Sequence, residues 1–175
     1  RIGEKFLKAG PGFGGSCFKK DILNLVYLCR SNNLDQVADY WQKVVEINEW
    51  QKERIYKKVV CNLFGNVAGK KIVILGFAFK ANTNDTRESA AITICKDLIE
   101  EGALLSIHDP KVDHNQIEKD LGIISISTCE NKLEDESYKN KGGWTYAPSA
   151  NASLTGADAS IILTEWKEYE NIDWH

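Results

Sequence analysis

Cys17 closes a glycine-rich stretch, residues 8–16, and opens a run of helical periodicity. A helix start carries partial positive charge, which favours the thiolate, and Lys19 and Lys20 add more. A thiolate at neutral pH is a nucleophile whose natural target is a carbonyl carbon. Asp21, one helical turn on, can orient a water or hold a lysine. The plainer alternative is a small thiol buried where a helix begins, and local context leaves both readings open.

The stretch ahead of Cys17 contains Gly10, Pro11, Gly12, Gly14 and Gly15. Such a segment forms neither a helix nor a central strand. Without Cβ atoms its backbone can approach a ligand closely, and its amides are suited to a ligand oxygen. It is a poor dinucleotide fingerprint: the last glycine falls one position early, and no strand precedes it. Further along, Lys80 follows an apolar run at the carboxyl end of a predicted strand, where ligands bind in open α/β sheets. Arg87 lies at a predicted helix start, which also attracts anions. The two suggest a phosphate-rich ligand. The alternative is a solvated loop in which Arg87 pairs with Asp85 or Glu88. Phe18, Phe77 and Phe79 can stack on a base, although phenylalanines beside apolar strands are usually core.

These residues need elements to hold them. Ser16 is expected to cap a helix whose apolar positions are Ile22, Leu23, Leu25, Val26, Leu28 and Cys29, stopped by Ser31, Asn32 and Asn33. A second helix is predicted from about Leu34 to Phe64, closed by Gly65 and Gly69. Thirty residues of helix span about 45 Å. An apolar stripe on so long a rod needs a partner, on its own domain or on a second copy. From Lys71 the pattern changes to short apolar strands, Lys71–Gly76, Leu104–His108, Ile123–Ser127 and Ala159–Leu163. Helices are predicted between them, after a capping box of Asp85 and Glu88, over Asp113–Leu121 and over Ser149–Thr155. Residues 130–143 read as a polar surface loop. Alternating strands and helices imply a parallel sheet. The fold class is therefore α/β, a long-helix region over 1–66 followed by a Rossmann-like domain over 67–175.

Composition narrows the rest. A net charge of −3 with interspersed signs gives no nucleic-acid footprint. No apolar run reaches bilayer length, so no membrane span is expected. The five cysteines form no CxxC pair, so neither a metal site nor a redox motif is expected, and free thiols suit a cytoplasmic setting. Cys29, Cys61 and Cys95 are expected in the core, while Cys129 has no evident role. His108, His114 and His175 are scattered and suggest neither metal nor acid–base chemistry.

The run Gly12 to Asp21, reading GFGGSCFKKD, resembles the catalytic segment of the UDP-glucose/GDP-mannose dehydrogenase family, the UDP-glucose 6-dehydrogenases in particular. Lys71 to Lys80, then Asp85 to Ser89, resembles the start of that family's UDP-binding domain, and His108 to Lys111 and Thr164 to Trp166 continue the likeness in order. The resemblance covers nearly the whole chain. It implies two NAD-dependent oxidations of UDP-glucose to UDP-glucuronate through a thiohemiacetal and a thioester on Cys17. Lys20 and Asp21 would assist, holding the thiolate and ordering the hydrolytic water. Arg1, Phe6, Lys8, Ala9, Gly10, Pro11, Gly12, Phe13, Gly14, Phe18, Phe79 and Lys80 would bind the substrate, Arg1 from across a dimer interface. Cys17, Lys20 and Arg87 would lie by the NAD. The long helix would form a homodimer core, with higher oligomers open.

Lys19 departs from the proline or glutamine common in the family, which adds a charge beside the site, and the Gly10–Pro11 pair varies among members. A first residue Arg1, and an end just after a strand, suggest a piece of a longer chain without its NAD-binding domain, inactive alone. The other possibilities carried forward are a dehydrogenase for UDP-N-acetylmannosamine or GDP-mannose, and a silent nucleotide-binding and dimerisation module.

Overall fold

A computed structural model describes residue 3, residues 9–126, residues 142–172 and residue 174. Arg1, Phe6, Lys8, Cys129 and His175, named above, lie outside the described residues, as does most of the 130–143 stretch.

Two helices come first. Helix α1 runs Phe18–Ser31 and α2 runs Asp35–Asn62. Asn33, with φ of 56°, turns the chain between them, and Leu34 N–H donates to the Cys29 carbonyl. The pair packs through Ile22, Val26 and Cys29 of α1 against Ala38 and Val45 of α2. Leu23 and Leu28, expected on the apolar side of α1, are exposed. The 28 residues of α2 span about 42 Å. Its carboxyl half turns Ile55, Val59, Val60 and Leu63 onto a second, larger core. Cys61, expected in that core, is exposed because it points away from the Val59–Val60–Leu63 side.

That larger core surrounds a four-stranded sheet. Strands β1 (Lys71–Leu75), β2 (Leu104–His108), β3 (Gly143–Tyr146) and β4 (Ala159–Ile162) are all parallel, in the order β3-β2-β1-β4. Helices α3 (Ala90–Glu100), α4 (His114–Leu121) and α5 (Ala150–Leu154) alternate with them, as expected of a Rossmann-like unit, and a 3-10 turn covers Lys167–Asn171. Four consecutive residues of β1, Ile72 to Leu75, are fully buried. A strand covered on both faces needs such a continuous apolar run rather than alternation. Ser89, Asp113 and Ser149 cap α3, α4 and α5 by accepting backbone N–H bonds.

Four local expectations fail. Ile123–Ser127 is not a strand over its described part, and β3 takes its place beside β2. Trp144 of β3 is fully buried and donates its indole N–H to the Ile123 carbonyl, so the 123–126 segment wraps the strand instead of joining the ladder. Gly143, placed in the surface loop, is the first residue of β3, paired with Leu104, and only glycine fits there because a Cβ would meet the Ile126 side chain at 2.5 Å. The capping box also does not form. Asp85 accepts from its own neighbour Arg87, Glu88 adopts φ of 55°, and α3 starts only after Ser89. Finally, Ser16 is not the cap of α1: Cys17 occupies that position, with no side-chain bond to the helix amides.

Sheet order fixes where a ligand can sit. The chain steps from β1 to β2 to β3, then returns to the other side of β1 for β4. The connections after β1 and after β3 thus carry the chain to opposite sides of β1, so the crevice at the carboxyl ends of β1 and β4 is the switch point where α/β sheets bind ligands.

Candidate functional site

The residues leaving β1 form one wall of that crevice. Gly76 has φ of +92° and is hemmed in by Thr164, whose Cβ would lie 2.4 Å from any added Cβ, so only glycine turns the chain here. Phe77 is fully buried, whereas Phe79 is half-buried and Lys80 is exposed, its ammonium 5.3 Å from the Phe79 ring centre. Phe79 therefore belongs to the site and Phe77 to the core.

The glycine loop lies across this wall and is tied to both halves of the molecule. Gly15 N–H donates to the Arg87 carbonyl at 2.8 Å. A Cβ on Gly14 would meet the Glu88 carbonyl at 2.6 Å and Phe79 Cβ at 2.9 Å. On the other side Asn48 of α2 grips Phe13: its Oδ1 accepts the Phe13 N–H at 2.8 Å and its amide donates to the Phe13 carbonyl at 3.1 Å. Gln51 adds a bond to the Gly10 carbonyl. The glycines thus serve close packing between α2 and the 79–88 loop.

Two clefts result. A larger one, of about 650 Å³, is lined by Gly10, Gly12, Phe13, Gly14, Phe18 and Phe79 with Val44, Ile47, Asn48 and Gln51. A smaller one, of about 220 Å³, lies at the switch point between Ala9–Gly12, Ala78–Lys80, Ser89, Ala90, Leu163 and Glu165. Of the twelve residues expected to bind a substrate, the nine described ones all line one of these clefts. Cys17, Lys20, Asp21 and Arg87 line neither.

Cys17 is exposed, not sealed in a core, and its Sγ lies 3.5 Å from Ser16 Oγ. Its neighbours Gly14 and Phe18 line the larger cleft, and Asp21 N–H bonds the Cys17 carbonyl as the first turn closes. Arg87 forms the pair that the solvated-loop alternative anticipates: its guanidinium makes two bonds to the Asp85 carboxylate, at 2.9 and 2.7 Å. Those bonds hold the Asp85 carboxyl below the usual range and the Arg87 guanidinium above its own. Lys19, the unusual cation, is bonded to Glu88 at 2.8 Å and lies 3.6 Å from Glu49. The Glu88 bond is the main reason its pKa is raised.

Residues 73–175 match the UDP binding domain of the UDP-glucose/GDP-mannose dehydrogenase family, and residues 1–50 match its central domain. The chain belongs to this family. It is 48% identical over 174 residues to the UDP-glucose 6-dehydrogenase of Drosophila melanogaster, covering 99% of this chain and 35% of that protein. Against the UDP-glucose 6-dehydrogenase of Caenorhabditis elegans it is 49% identical over 177 residues, covering 99% and 34%. The chain thus spans about a third of the length of the curated relatives it matches. A UDP-glucose dehydrogenase structure from the archaeon Pyrobaculum islandicum superposes with a TM-score of 0.75 at 31% identity, covering 99% of this chain and 35% of that one. The likeness to the GDP-mannose dehydrogenase of Pseudomonas aeruginosa, 20% identical over 95% of this chain and 34% of that one with a TM-score of 0.65, is one of fold.

Asn48 is absent from the sequence reading of this family member. Its signal is a polar residue within the apolar stripe of α2, one turn past Val44 and Val45. The same holds for buried Asp109 and Thr164, which lie in motifs that carry the family likeness yet have no role in the sequence reading.

Proposed function

We propose that the chain contributes the thiol and much of the nucleotide-sugar site of a UDP-glucose 6-dehydrogenase. The observation that carries this reading is an exposed Cys17 at the head of α1, in a glycine loop that lines the clefts and is bonded to the 79–88 loop by Gly15 N–H and the Arg87 carbonyl. The relatives named above add the substrate.

In a protein of the relatives' full length, the loop from Ala9 to Gly14 and the Ala78–Lys80 wall hold the nucleotide sugar. Lys80 is the exposed cation at the crevice and faces the phosphates. The C6 alcohol loses two electrons and two protons to become an aldehyde. Cys17 Sγ then adds to the aldehyde carbon, and the carbonyl oxygen takes a proton, giving a thiohemiacetal. A second two-electron oxidation gives the thioester. Water, ordered by Asp21, attacks its carbon, the C–S bond breaks, and the thiol returns as the carboxylate leaves.

NAD, when bound, accepts the electron pair of each oxidation. Lys20 and Arg87, both exposed, fit the edge of an anionic cofactor, but among the described residues no glycine fingerprint follows a strand. The dimer proposal rests on α2, where the large apolar side chains of Val37, Tyr40, Ile47 and Trp50 are exposed. Among the described residues no helix is long and apolar enough to cross a membrane.

The test is NADH formation by the protein at its relatives' length, with UDP-glucose, UDP-N-acetylmannosamine and GDP-mannose offered separately. UDP-glucose is expected to be preferred, and Cys17→Ala to abolish turnover while UDP still binds. Full activity without the thiol refutes the mechanism. Preference for another sugar moves the substrate, and UDP binding with no NADH from any sugar indicates the silent module.

A further inference from the structure

Phe77 and Ala78 leave β1 as irregular backbone in a buried place, where every N–H and C=O needs a partner. Their partners are side chains from three other segments. Asp109 Oδ2 accepts the N–H of Phe77 at 2.7 Å and of Ala78 at 3.0 Å. Ser89 Oγ donates to the Phe77 carbonyl at 2.8 Å, and Thr164 Oγ1 donates to the Ala78 carbonyl at 2.6 Å. Asp109, Ser89 and Thr164 are all buried.

Asp109 does more than cap two amides. Its second oxygen accepts from Lys111 and Val112 N–H, at 2.9 and 3.0 Å, and Oδ2 also takes the Trp166 indole N–H at 3.2 Å. Among the described residues no cationic side chain forms an ion pair with it. Five N–H donors from the exits of β1, β2 and β4 solvate the carboxylate instead, and such charge-assisted bonds are the strong ones. Ala78, held at both ends, lines the switch-point cleft, and Phe79 and Lys80 follow it directly.

We infer that Asp109 and Thr164 are positioning residues for the nucleotide site: they grip the Ala78 peptide groups from opposite sides and so set where Phe79 and Lys80 begin. Neither lines this cleft, although Thr164 borders an adjoining one lined by Ala9–Pro11, so each acts on the switch-point cleft through Ala78. The inference rests on the nucleotide-sugar reading, because it gives that crevice its ligand.

The experiment titrates UDP into the purified protein and its variants by calorimetry, with circular dichroism to verify folding. Thr164→Val keeps the shape but sets a methyl against the Ala78 oxygen. Asp109→Asn keeps the shape, removes the charge and turns an N–H2 toward one set of N–H donors. UDP affinity is expected to fall about fivefold in T164V and about tenfold in D109N, each still folded. Thr164→Ser restores the hydroxyl and is expected to bring affinity back within twofold, which a purely structural loss would not require. Folded T164V and D109N with wild-type affinity overturn the inference. If D109N does not fold, T164V against T164S decides: equal affinities overturn it. No UDP binding by the wild type is a separate result, which refutes the nucleotide reading and this inference with it.

Discussion

Removing the Asn48 carboxamide should free the glycine loop while leaving the sheet intact. The side chain makes two bonds, both to Phe13, at 2.8 and 3.1 Å, and it is buried where water cannot readily replace it. Each such bond is worth about 1 kcal/mol net, so Asn48→Ala should cost the loop about 2 kcal/mol. That is roughly a 30-fold shift toward the detached loop. The assay is hydrogen exchange at the Phe13 amide, whose acceptor is Asn48 Oδ1. Protection at Phe13 should fall by roughly 30-fold, while amides of Ile72 to Leu75 in β1 keep theirs. Asn48→Asp keeps the acceptor but sets an oxygen against the Phe13 carbonyl, so its protection should lie between wild type and Ala. Unchanged Phe13 protection in Asn48→Ala would refute the claim that α2 holds the loop through this residue.

Three further outcomes are expected. Gly14→Ala should destabilise the protein by about 1–3 kcal/mol, because its methyl would press on the Glu88 carbonyl and Phe79 Cβ, and urea denaturation measures this. Iodoacetamide on the native protein should modify Cys17 and Cys61 but spare buried Cys29 and Cys95, the latter with its thiol pushed up by burial; mass spectrometry of the labelled peptides checks it. Burial lowers the His108 pKa, with Glu168 and Asp109 opposing the shift, so the unfolded chain takes up the proton first as pH falls. Stability should therefore drop as pH goes below about 6.5 toward the folded value, and a His108→Gln protein should lose that part of the pH dependence.

Much of the frame was legible because the signals were strong and local. The unbroken apolar run at Lys71–Leu75 could only be a buried strand, and Gly10 to Gly15 could only be a loop. Trp144 shows where such reading stops. Its burial, and hence β3, depends on Ile123 offering a carbonyl twenty-one residues earlier, which no local pattern contains. Asp85 and Glu88 spell a capping box, but other partners take both side chains: Arg87, two residues on, claims one and distant Lys19 the other. The expected cleft-lining residues were named from motifs, whereas Asn48, Asp109 and Thr164, which hold the lining in place, are visible only once distant segments meet.

Helix α2 is shared property. Its first half is packed with α1, the helix headed by the thiol, and its second half is set into the flank of the sheet unit that bears Lys80. Its 28 residues span about 42 Å, so a tilt imposed on one half displaces the other. A second subunit docking on the exposed Tyr40–Trp50 side, in the half packed with α1, would therefore reach the sheet unit through the same helix, and assembly would bear on the alignment of thiol and crevice together.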